Sequence, residues 1–217
     1  MLASAILTQI GDVLHDSTSV RWPEAERLRW MSEAQRMIVT LKPDANSVRS
    51  VEALPTIGVA RQTLPTGATT LIGIHSNMTA VGESYTPGNV IREVPMGAMD
   101  TFNPRWRMEL GATVKHYMYD PRTPLVYYVY PAPISGDVFV DMTCSYVPAT
   151  LTASTDALGL VDSYASVILD YVLYRAYSKD AEYAGNMALA SGYYQAFQAA
   201  VGAKASGEAI APVPSKG

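Results

Sequence analysis

The 217-residue sequence contains one cysteine, three histidines, no long apolar run and no surplus of positive charge. Each shortage excludes a class. Cys144 has no second cysteine to pair with, so there is no internal disulfide and no sign of an oxidising compartment. A membrane-spanning helix needs ~20 uninterrupted apolar residues, and the chain has no such stretch. With 20 acidic against 16 basic side chains the formal net charge is −4, the wrong sign for a dedicated nucleic-acid clamp. Disorder throughout is excluded by a composition that is 48% hydrophobic and only 17% charged.

Catalytic patterns are equally scarce. His15, His75 and His116 lie far apart, and none has a His, Cys or Asp at a metal-ligand spacing, so no metal or cofactor is expected. A nucleophile pair would have to join Cys144 to His75 or His116, and no local signature supports one. No GxSxG elbow, GxxxxGK[ST] loop or GxGxxG turn occurs. The start of the chain, Met1-Leu-Ala-Ser-Ala-Ile-Leu-Thr, lacks the basic region of a signal peptide and reads as a helix. The sequon at Asn77-Met-Thr is therefore read as a chance match.

What the chain does have falls into three stretches. In the first, Ile6, Ile10 and Val13/Leu14 recur at helical spacing. Pro23 then opens a helix over Glu24–Leu41, with Glu24 and Glu26 at its positive end and Lys42-Pro-Asp44 stopping it. Spacings such as Glu24/Arg27 and Glu33/Arg36 suit ion pairs along one helix face.

The middle stretch holds most of the prolines, which punctuate short β-like runs at Val59–Leu64, Thr69–His75, Thr113–Tyr119, Val126–Tyr130 and Val138–Val147. Leu64-Pro-Thr-Gly67 reads as a β-turn with Pro second and Gly fourth. In the last stretch, Leu160, Tyr164, Val167/Ile168, Tyr171 and Tyr174 form one helical stripe. Ala184, Met187, Tyr194, Phe197 and Val201 form another, which Gly202 is expected to end.

The expected fold class is α+β: a discontinuous helical bundle of N- and C-terminal helices with a small β-sandwich or barrel inserted. The expected divisions are 1–50 and 151–202 for the helical domain, 51–150 for the β domain and 203–217 for a flexible tail. The most unusual local feature is Asn103-Pro-Arg-Trp-Arg107. Arg105, Trp106 and Arg107 are either a protein-interface hot spot or the anchor of a long surface loop.

Several strings resemble the head-to-tail adaptor, or connector, proteins of tailed bacteriophages. They are Arg21-Trp-Pro-Glu-Ala-Glu-Arg-Leu-Arg-Trp-Met-Ser-Glu-Ala-Gln-Arg-Met-Ile-Val39 with Lys42-Pro-Asp-Ala45, then Arg61-Gln-Thr-Leu-Pro65, Ile91-Arg-Glu-Val-Pro95, His116-Tyr-Met-Tyr-Asp-Pro121 and Tyr127-Tyr-Val-Tyr-Pro131, and finally the run Asp170–Asn186. The resemblance implies a structural virion protein without enzymatic activity, assembled in the host cytoplasm and located at the head–tail interface. It implies a ring of twelve copies that joins the portal protein to tail-tube or nozzle proteins, with a tail fibre as a further neighbour. Genomic DNA would pass through without specific binding, since an acidic lumen offers phosphates no neutralising cations. In the tail, Ile210, Pro212, Val213 and Pro214 are candidate portal-binding residues, because a proline-containing arm loses less entropy on docking than a Gly/Ser linker. The competing expectations are another tail subunit, such as a tail-tube or nozzle protein, and a virion-associated hydrolase using His75 or His116.

Overall fold

The computed structural model describes residues 1–80 and 86–209. In chain order the elements are α1 (Ala3–Val13), α2 (Glu24–Leu41), β1 (Ser47–Ala53), β2 (Arg61–Thr63), β3 (Ala68–Met78), β4 (Pro87–Val90), β5 (Arg92–Glu93), α3 (Met96–Phe102), β6 (Leu110–Gly111), β7 (His116–Tyr119), β8 (Val126–Tyr130), β9 (Ala132–Pro133), β10 (Phe139–Tyr146), α4 (Ala165–Lys179) and α5 (Ala184–Ala209). The class is α+β. Two compact units emerge, one from Met1–Ala45 with Pro148–Gly217 and the other from Asn46–Val147.

The helical unit is built around apolar stripes. Ile6 and Ile10 of α1, Met31 and Ile38 of α2, Ile168 and Val172 of α4 and Phe197 of α5 are all fully buried in one cluster. Each such side chain contributes ~1.5–3 kcal/mol of transfer free energy. The loop between α1 and α2 places His15 and Ser19 in left-handed backbone, where non-glycine residues carry strain. Asp16 holds that loop by accepting the backbone N–H groups of Val20, Arg21 and Trp22, the last at 2.8 Å.

The charged groups around α2 pair across helices as well as along α2, where Arg29 lies 3.8 Å from Glu26. Glu33 pairs with Arg175 of α4, Glu26 takes Lys179 at 2.7 Å, and Arg21 reaches Asp180. Arg36 donates to Thr150, and Arg27 is buried and donates to Ser19. The expected Glu24/Arg27 and Glu33/Arg36 pairs do not form: Arg27 is turned into the unit, where it donates to Ser19, and Arg175 of α4 takes Glu33.

α5 also departs from expectation. Gly202 does not end it; the helix runs on to Ala209, so residues 203–209 are helical rather than a flexible tail. One interior glycine costs only about 1 kcal/mol, too little by itself to stop a helix. Its buried stripe is Ala190, Phe197 and Val201, whereas Met187 is 56% exposed. The remaining tail candidates, Ile210, Pro212, Val213 and Pro214, lie outside the described residues.

The β unit contains two four-stranded sheets, ordered β1-β10-β3-β4 and β2-β8-β7-β5, and a parallel pair, β6-β9. Leu71, Ile74, Val140, Met142 and Cys144 of the first sheet share a core with Tyr117, Tyr127 and Val129 of the second. Two sheets over one core make a sandwich. β1 was not expected as a strand, and the unit that contains it begins at Asn46 rather than at residue 51. The turn near Gly67 is shifted by one residue: Ala68 N–H donates to Pro65 C=O at 3.1 Å, which puts Gly67 third with φ +83°. A positive φ at the third position is what glycine supplies in a type II turn. The strands on either side of it do not pair with each other; β2 joins β8, and β3 joins β10 and β4.

Two buried amides hold the loops of this unit. Gln62, fully buried, accepts Thr56 N–H and donates to Thr56 C=O and Val59 C=O. Asn77 donates to Asn89 C=O and Val114 C=O and accepts Val114 N–H at 2.7 Å. At 5% exposure, with its amide consumed by the fold, Asn77 is a structural residue.

Candidate interaction surface

The segment from Pro95 to Gly111 lies over the outer face of the second sheet. α3 ends at Asn103, whose side chain accepts Arg105 N–H and donates to Glu109 Oε1 at 2.7 Å. Trp106, fully buried, meets Tyr128 of β8 edge-to-face at 6.1 Å and clusters with Met99 and Met118. Its indole N–H donates to Asp100 Oδ1 at 2.8 Å, and Arg107 reaches the same oxygen at 2.7 Å. The Arg107 guanidinium also stacks over the indole, 4.4 Å from the ring centroid. Those two hydrogen bonds hold the Asp100 carboxyl below its ordinary pKa.

Trp106 is therefore the loop's anchor and presents no surface to a partner, while Arg105 and Arg107 are exposed. Around them, Phe102 is 91% and Met108 79% exposed. These apolar side chains were not singled out from the sequence, since a loop without periodicity gives no signal of which residues face water. Tyr130 donates to Glu109 Oε2 at 2.7 Å, so the far end of the loop is tied to β8.

The candidate catalytic groups are not brought together. Cys144 faces the sandwich core at 1% exposure, and burial pushes its thiol up to about 11. His75 bonds Thr143 at 2.8 Å; Thr143 precedes Cys144 on β10, so its side chain lies on the opposite face of that strand. His116 stacks on Tyr130 at 6.2 Å, on the outer face of the other sheet. Asp141 is paired with Arg49, whose Nε donates to it at 2.9 Å. That pair lines a cleft of about 580 Å³ together with Ser76 and Pro87. Among the described residues no three His, Cys, Asp or Glu side chains form a group that would hold a metal. Nor is any helix among them long and apolar enough to cross a membrane.

Comparison with known families decides among the expectations. Residues 1–214 match the family model described as SU10 adaptor protein. The chain belongs to that family, whose members are phage head-to-tail adaptors. No curated protein matches it. The adaptor is thus a structural component of a phage virion that works by contact with other head and tail proteins. Its interaction surfaces are the features to explain.

Proposed function

We propose that this adaptor assembles as a ring of twelve copies between the portal and the tail-tube or nozzle proteins, at the head–tail interface of the virion, after synthesis in the host cytoplasm. The observation that carries the reading is the family match over residues 1–214. Genomic DNA passes through the ring without specific binding. The net charge of −4 per copy, repeated around the ring, favours that passage, because tight binding would need cations to neutralise phosphates. The role requires no catalysis, and the separation of Cys144 from His75 and His116 supports a non-enzymatic protein.

Two surfaces are assigned to contacts. Arg105 and Arg107, held by the Trp106 anchor, face a protein neighbour. The segment with Ile210, Pro212, Val213 and Pro214 docks on the portal, its prolines lowering the entropy lost on ordering.

Imaging of the purified adaptor, alone and with portal, tests the reading. Rings stacked on the portal are expected, and a protein that stays monomeric in both samples overturns it. Deleting residues 210–217 is expected to weaken portal binding while leaving the melting temperature unchanged. Portal binding at full strength after that deletion refutes the role given to the tail.

A further inference from the structure

We propose that the outer face of the second sheet docks on the cleft between α1 and α2 of a second copy of this chain. The inference rests on the ring reading above and names the surfaces by which copies meet.

The first surface combines exposed apolar side chains with arginines. Phe102 and Met108 project from the loop that covers Tyr128 and Tyr130. Arg61 on β2 pairs in register with Tyr128, so its side chain leaves the sheet on the same face. Arg92 on β5 pairs with His116, which in turn stacks on Tyr130, so Arg92 shares that face at the other edge. Arg105 lies in the loop itself. Arg61, Arg92 and Arg105 are all exposed and have no ion-pair partner among the described residues. The two carboxylates of the face are already committed, Asp100 to Trp106 and Arg107, and Glu109 to Asn103 and Tyr130. Exposed Phe and Met on the same face as these three arginines are residue types enriched at protein interfaces.

A partner for this face must be acidic, and the same chain supplies one. A cleft of about 270 Å³ between α1 and α2 is lined by Asp12 and Glu24 with Ser4, Thr8 and Ser17. Both carboxylates are exposed and unpaired among the described residues. Arg27 also lines the cleft, but it is buried, bonded to Ser19 and adjacent to Asp16. Copies that each carry −4 repel unless cations of one meet anions of the next, and these two surfaces allow that. One surface meeting a different one is a head-to-tail contact, the kind that closes into rings. Burying these arginines between copies also removes them from surface open to DNA.

Charge swaps test the proposal. The double variant R61E/R105E and the double variant D12K/E24K are each expected to weaken self-association by about tenfold or more, read by light scattering over a concentration series. All four positions are exposed, so the circular dichroism spectrum should match the unaltered protein, with melting lowered only slightly by the E24K cation in the first turn of α2. Combining the four substitutions is expected to restore self-association. Failure of the combination to restore it, or unchanged assembly of either double variant, overturns the proposal. Unchanged assembly of R61E/R105E with lost retention of duplex DNA in a gel overturns it in favour of a DNA-facing surface. An unaltered adaptor that never self-associates, even on the portal, refutes the ring reading itself, whereas rings without rescue refute only this contact.

Discussion

Asp100 accepts the indole N–H of Trp106 at 2.8 Å, a bond that ties α3 to the loop covering the second sheet. The same carboxylate holds Arg107, so one side chain sets both the anchor and the position of its flanking arginine. Removing it by Asp100→Ala leaves a buried indole N–H without an acceptor, at a cost of about 1–3 kcal/mol. Trp106→Ala empties the centre of that small cluster and should cost about 3–5 kcal/mol, read as a lowered urea midpoint. If Trp106→Ala leaves the midpoint unchanged, the loop is not held by this residue.

The same loop shows where sequence reading stops. Arg105-Trp106-Arg107 stays open between an interface and an anchor until Asp100, six residues upstream of Trp106, is seen to accept from the indole. α2 was legible to the residue because Pro23, two acids in the first turn and Pro43 bracket it. α3 was not legible, since seven residues containing Gly97 carry too little periodicity or propensity. β1 was missed for a related reason: an edge strand whose residues are all exposed or half-buried shows no apolar alternation. Pairing across helices, as in Glu33 with Arg175, depends on which helix lies alongside, and spacing within α2 holds no record of that.

A pH dependence follows from Asp16. Its carboxyl is held below the ordinary 3.8, first by the Trp22 N–H and then by those of Val20 and Arg21, against the opposing effect of burial. A depressed folded-state pKa means stability that is fully present above the unfolded value and lost as pH falls through the folded one. The adaptor's melting temperature should therefore decline below about pH 4, and Asp16→Asn should flatten that part of the curve while lowering stability at pH 7. Equal slopes for the two proteins in acid would show that Asp16 makes no contribution.

Asn77 supplies a prediction about the β unit. Its amide satisfies both the N–H and the C=O of Val114, and it also donates to Asn89 C=O. Asn77→Ala orphans buried backbone groups and should destabilise by about 1–3 kcal/mol per group left unpaired. Asn77→Asp turns an acceptor-only carboxylate toward the two carbonyls that Asn77 donates to and buries its charge, so at pH 7 it should be at least as destabilising as the alanine variant in a denaturant titration. An alanine variant as stable as the unaltered protein would mean that water takes over these bonds.

Cys144 offers the simplest test of the sandwich. The thiol lies between the two sheets, in sulfur contact with Met142 at 3.7 Å, and burial pushes it up to about 11. At pH 8 the thiolate is scarce and the path to it is closed, so a disulfide reagent should label the native adaptor only as fast as the β unit opens. Denaturant should release labelling of one thiol per chain at the rate of a free cysteine. Full labelling of native protein within seconds would place Cys144 at the surface and break the assignment of β10's inward face, on which Val140 and Met142 also depend.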